Sequence, residues 1–97
     1  MITHIVFFKL KDRTPAGTEE ARSVLLAMDG RIPELRHLEV GIDVVRSPRS
    51  HDIALVTKFD SLEDLAAYQA HPVHQEVVRY IQSAAESSVA VDYETTG

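Results

Sequence analysis

Ser61-Leu62-Glu63-Asp64-Leu65-Ala66-Ala67-Tyr68-Gln69-Ala70-His71-Pro72-Val73-His74 is the stretch on which the fold turns. Ser61 is a good helix N-cap, and Glu63 and Asp64 fall in the first turn, beside the positive end of the helix dipole. Leu65, Ala66 and Tyr68 carry the helical pattern forward until Pro72 interrupts it. Proline is tolerated best in a first helical turn, so a new helix is expected to restart there. His74, Val77, Val78, Ile81 and Ala85 share its apolar face, and His74 points inward by spacing alone.

Outward from this broken helix, both flanks read as strand. Ile53, Leu55, Thr57 and Phe59 share one phase and Ala54 and Val56 the other, with His51 leading in. Before them Leu38, Val40, Ile42 and Val44 alternate with Glu39, Gly41 and Asp43 and run into the Arg46-Ser47-Pro48-Arg49-Ser50 loop, so the two strands pair as an antiparallel unit. Ile2 to Lys11 is a further strand, with His4, Val6, Phe8 and Leu10 on one face and Ile5 and Phe7 on the other. Thr14-Pro15 opens a helix in which Ala21, Val24, Leu25 and Met28 recur at helical spacing before Gly30 stops it. The last strand is Val89 to Glu94, with Val89, Val91 and Tyr93 in one phase and Ala90, Asp92 and Glu94 in the other; Thr95, Thr96 and Gly97 read as a frayed tail.

Strand, helix, strand, strand, broken helix, strand is the α+β order of a ferredoxin-like βαββαβ subunit. Helices can cover only one face of such a sheet. Apolar residues on both faces of the first three strands predict that a second subunit packs on the other face, closing a dimeric α/β barrel.

A chain of 97 residues that is 44% hydrophobic and 26% charged fits one domain over residues 1–97. A domain of this size buries only roughly 60–65% of its unfolded surface, which also favours association. The net charge of -5 argues against nucleic acid and anionic membranes as partners, because both demand clustered Lys and Arg. Cysteine is absent, which removes disulfides, thiol nucleophiles and thiolate metal sites. Ile5 to Phe8 is too short for a signal h-region or a membrane span, so the cytoplasm is the expected compartment. No glycine-rich phosphate loop, nucleophile elbow, paired-carboxylate signature or tryptophan is present, and no cofactor is expected.

Candidate chemistry rests on the histidines. His37 stands in a polar turn and reads as solvated. His74, on an apolar helix face, is open to three readings: a satisfied core histidine, a general base or acid, or a metal ligand. His71 and His74 could chelate a cation only if His4 or a carboxylate came close, and that spacing is a weak metal signal. Tyr68 could polarise a carbonyl or simply hydrogen-bond across the core. Asp92 could orient the His74 imidazole or face water, and His4, in phase with Val6 and Phe8, is expected to be buried.

Tyr68-Gln69-Ala70-His71-Pro72-Val73-His74, with Phe59-Asp60-Ser61-Leu62 before it and Val91-Asp92-Tyr93 after it, resembles the stress-responsive dimeric α/β-barrel (Dabb) family. The opening His4-Ile5-Val6-Phe7-Phe8-Lys9-Leu10-Lys11, Ile32-Pro33 and Leu38-Glu39-Val40-Gly41 match its habit too, so the resemblance spans the chain. It implies a homodimer with a pocket between each sheet and its own helices, able to take a small apolar, carbonyl-bearing ligand. Most relatives lack an assigned reaction, while a plant member is a metal-independent cyclase that closes a polyketide by aldol condensation. Carried over from that cyclase, Tyr68 and His74 are the working pair, Asp92 orients His74, and His4 and His51 line the pocket, with His71 beside them. Relatives of similar architecture include cofactor-free monooxygenases, which gives a third functional class.

Overall fold

The computed structural model describes residues 1–96 and contains β1 (Ile2–Leu10), α1 (Pro15–Leu26), β2 (His37–Ile42), β3 (Ile53–Phe59), α2 (Leu62–Ala70), α3 (Pro72–Ala84) and β4 (Ala85–Glu94). Local chemistry sets the helix starts. Thr14 caps α1 by accepting from Gly17 N, and Asp12 in turn accepts from both the N–H and the hydroxyl of Thr14. This turn is tight enough that a Cβ on Gly17 would stand 2.5 Å from the Asp12 carbonyl oxygen. Ser61 caps α2 by accepting from Asp64 N, as its position in the sequence predicts. After α1 the chain turns through Gly30, whose φ of +74° suits a residue without a Cβ.

The strands form one antiparallel sheet in the order β2-β3-β1-β4, the ferredoxin-like arrangement. Burial alternates along β3, and Ile53, Leu55, Thr57 and Phe59 face the helices together with Ile2, Phe8 and Leu10 of β1. Ala21, Leu25 and Met28, Leu65 and Tyr68, and Val77 of the helical layer complete the core. The opposite face carries Gly41, Ala54, Phe7 and Val89 in one cross-strand row and Glu39, Val56, Ile5 and Val91 in the next. No helix covers it, and Phe7, Val89, Val91 and Tyr93 are exposed there.

Three element ends differ from the sequence expectation. β2 stops at Ile42, leaving Val44 and Val45 exposed in the following loop, because pairing with β3 ends at Ile42 opposite Ile53 and only Asp43 N continues it, to Asp52 O. Ala85 is the first residue of β4 rather than part of the α3 face, since the pairing with β1 reaches back to Leu10 across a register shift. Thr95 is tied down, its N–H donating to Met1 O at 2.7 Å and its hydroxyl meeting that of Thr3. Gly97 lies outside the described residues.

The loop between β2 and β3 is anchored by a carboxylate. Asp52 is fully buried and accepts from Leu10 N at 2.8 Å, Arg13 Nε at 3.0 Å and Arg46 Nη1 at 3.3 Å. Burial opposes its charge, but the Leu10 hydrogen bond and the two guanidinium groups outweigh that and hold its pKa below the ordinary carboxylate value. Arg46 takes a left-handed φ of 59°, and its side chain also donates to Arg13 O at 2.7 Å while its N–H donates to Asp43.

Candidate functional site: a histidine-lined cavity between sheet and helices

Proline 72 builds this site as much as it breaks the helix. It has no N–H, and the next N–H, of Val73, is captured by Nδ1 of His71 at 3.1 Å, so His71 acts as the N-cap of α3. In an unbroken helix that Val73 N–H would bond to the carbonyl of Gln69. Released from that bond, Gln69 O accepts instead from the Gln75 side chain at 2.6 Å and from Nδ1 of His74 at 3.1 Å. A carbonyl only accepts, so Nδ1 of His74 carries its proton and Nε2 is the nitrogen with the free lone pair in the neutral ring.

His74 is half-buried with its ring centroid 4.4 Å from that of Tyr68. Burial lowers its pKa; the Gln69 hydrogen bond opposes this, and charge on His4 adds to the lowering. Tyr68 is fully buried, stacks against Phe59 at 4.8 Å and points its hydroxyl at Met28 Sδ, 3.7 Å away. Burial also raises the Tyr68 pKa far above the ordinary phenol value, which keeps the group protonated. Its ring, rather than its hydroxyl, is what faces His74 and, at 6.4 Å, His4.

His4 is buried, as its strand phase predicts, and lies in register with Thr57 on β3 and Asp92 on β4. Its Nδ1 meets the carboxylate of Asp92. The orienting contact expected from Asp92 to His74 is therefore not formed. Asp92 sits on the cross-strand row of His4, and the Gln69 carbonyl takes the place beside His74.

His4, Tyr68 and His74 line one cavity of about 280 Å³, with Val6, Phe8, Leu25, Leu55, Val77, Val78 and Ile81 as its apolar wall and Gln69, Gln82 and Ser88 as further polar groups. His51 and His71 do not join them. His71 is spent on the helix cap, and His51 lies beside Phe7 in a separate concavity with Gly41, Asp43, Arg49 and Ala54. The strand phase places Phe7, Gly41 and Ala54 on the uncovered side of the sheet, which is why a residue just ahead of β3 ends there. Among the described residues no group of three His, Cys, Asp or Glu side chains converges as a metal site. Sequence reasoning overlooked Gln69, whose contribution is a main-chain oxygen; the signal for it was Pro72, which unpairs the carbonyls of the preceding turn.

A ferredoxin-like sheet with one helix-covered face, one uncovered apolar face and a histidine-lined cavity defines an α/β-barrel type of subunit. The chain belongs to the Stress responsive A/B Barrel Domain (Dabb) family, which matches residues 2–95. It is 35% identical over 101 residues to an uncharacterized protein of Streptomyces coelicolor, covering 97% of this chain and 99% of that one. A dimeric protein of unknown function and ferredoxin-like fold from Bacteroides fragilis is 32% identical with a TM-score of 0.80, over 97% of this chain and 95% of its own. Hydroxynitrile lyase from Passiflora edulis shares the fold at 22% identity and a TM-score of 0.80, over 99% and 96% of the two chains. No helix among the described residues is long and apolar enough to cross a membrane.

Proposed function

We propose that this protein is a cytoplasmic homodimer that binds a small, largely apolar, carbonyl-bearing molecule in the cavity of each subunit. The observation that carries the reading is the pair of imidazoles, His4 and His74, on one otherwise apolar cavity. A cavity of about 280 Å³ sits at the lower end of the range for small-molecule sites, and a few polar groups on an apolar wall is their usual composition. The uncovered sheet face supports the dimer: Ile5, Phe7, Val89 and Val91 form a contiguous apolar patch, and the Bacteroides fragilis relative is dimeric.

A catalytic version, a metal-independent cyclase or lyase, is favoured by one further observation. His74 has its lone pair directed by the Gln69 carbonyl and its pKa lowered, which makes it a neutral base at physiological pH.

Imidazole NMR resonances of the wild type and His74→Ala, followed while a linear 1,3-diketone is added, test the binding reading. Saturable shifts at His4 and His74, lost or weakened in the variant, are expected. Unchanged resonances at millimolar diketone would overturn it.

A further inference from the structure

The uncovered face of the sheet is notched at the corner where β2 and β3 meet their loop. In the row Gly41, Ala54, Phe7, Val89, the first position has no side chain and the second only a methyl group. A Cβ placed on Gly41 meets no heavy atom within 4 Å, so the space above it is open. Phe7 walls the notch with an exposed ring, and the His51 ring stands 6.2 Å from it by centroids. With Arg49 and Asp43 also lining it, the concavity measures about 360 Å³, within the usual range for small-molecule sites.

The charges at this corner do not cancel. Asp52, which also lines the concavity, is matched by two guanidinium groups, those of Arg13 and Arg46, and Asp43 accepts from Arg46 N at 2.7 Å. Arg49 engages the protein through its main-chain N–H, which donates to Ser47 Oγ at 3.3 Å; among the described residues neither its guanidinium nor the His51 imidazole has a hydrogen-bond or ion-pair partner. Three arginines thus face two carboxylates, a local cationic excess in a chain of net charge -5. The loop that carries Arg49 is held in shape, since the Ser47 and Ser50 hydroxyls meet at 2.9 Å and Ser50 N donates to Ser47 O at 3.0 Å. A guanidinium beside an apolar floor, with its charge not already compensated, suits an anion with an apolar body, because its planar fork matches a carboxylate.

We propose that this concavity is a second ligand site, distinct from the helix-side cavity, and that it takes a small aromatic carboxylate. Arg49 donates to the carboxylate oxygens, and His51 adds an N–H, which an imidazole carries in either protonation state. The ligand's ring lies over Gly41 and Ala54 against Phe7. A bare inorganic anion uses the cation and leaves the floor empty, whereas a neutral aromatic amide uses the floor and leaves Arg49 unpaired. An aromatic acid uses both. Phe7 also belongs to the apolar patch assigned to the second subunit, so the site opens at the margin of that interface. The assignment is independent of the carbonyl-ligand reading of the other cavity.

The test is a titration of the wild-type protein with sodium benzoate at fixed pH and ionic strength, read from the His51 imidazole resonances, with benzamide and inorganic phosphate as paired probes. Saturation at millimolar benzoate is expected, with benzamide and phosphate each weaker by about tenfold or more, the usual loss when one charge-assisted hydrogen bond or one apolar contact is removed. Arg49→Gln should weaken benzoate by about tenfold and leave benzamide unchanged. Gly41→Val, whose branched side chain suits the edge strand β2 and fills the open space, should abolish the His51 response. His74→Ala should leave that response in place; a response that disappears with His74 comes from the helix-side cavity and overturns the second site. Phosphate binding as tightly as benzoate overturns the aromatic-acid assignment. Absence of a saturable response at millimolar benzoate overturns the proposal, and His51 resonances that change only on dilution then assign the concavity to the second copy.

Discussion

Two carboxylates meet β1 at its opposite ends, and they differ in almost every respect. Asp52, at the Leu10 end, has a solvent-inaccessible side chain and three protein donors, one from the main chain and two from arginines. Asp92, at the His4 end, is 44% exposed and engages a single imidazole. A carboxylate saturated by fixed donors has nothing left to offer a ligand and stabilises the loop it anchors. One that meets a single ring and stays half-exposed keeps acceptor positions open to solvent. The number and kind of partners, together with burial, set how much acceptor capacity each carboxylate has left.

Removing the saturated partner is expected to have the largest effect on stability. Asp52→Ala leaves Leu10 N and two guanidinium groups without their acceptor and should cost about 3 kcal/mol in urea unfolding. A loss below about 1 kcal/mol would mean that the arginines find water instead. The pH dependence has a fixed sign. Because the folded pKa of Asp52 is depressed, its contribution is present above about pH 4 and is lost as pH falls through the lower folded value. Acid unfolding of Asp52→Asn should show a shallower slope in that window.

Next in size is the uncovered sheet face. Phe7→Asp should weaken self-association by about 2 kcal/mol, roughly thirtyfold, in sedimentation equilibrium, because a charge would replace an apolar anchor at the centre of the patch. An unchanged association state would place the interface elsewhere.

The cavity-side changes should be small in stability and specific in character. Tyr68→Phe removes only a hydroxyl bonded to a thioether and is expected to cost under about 1 kcal/mol, with the diketone response intact. Loss of that response would bring the phenol into the ligand's reach. His74, whose folded pKa is depressed, supports the fold above about pH 6.5 and loses that support as pH falls toward its lower folded value. His74→Gln should remove that slope in the stability profile. Asp92→Asn is expected to move stability least, by less than about 0.5 kcal/mol, as its pair is half-exposed.

Much of this was legible in the residue order. Period-2 alternation in β1 and β3 and the 3.6 period in α1 and α3 gave the element order, and the helix caps Thr14 and Ser61 gave the starts. The phase of His4 and the helical face of His74 placed both inward. Less was legible where a partner is chosen across the sheet. Asp92 pairs with His4 because strand register sets them side by side, and register is a property of two strands. His71 appeared beside His74 in the sequence but turned to its own helix end, because a capping acceptor was needed where proline had broken the hydrogen-bond ladder. His51 precedes β3 in the sequence, yet the cavity it joins is on the far side of the sheet.

The sequence by itself determined the element order, the single helix-covered face and the inward direction of two histidines, because hydrophobic period and capping are local properties. Only the tertiary structure decided which acceptor holds each ring, that the Tyr68 hydroxyl turns to Met28, and that Asp52 rather than Asp92 is the saturated carboxylate. Those outcomes depend on distances between residues far apart in the chain, which periodicity does not encode.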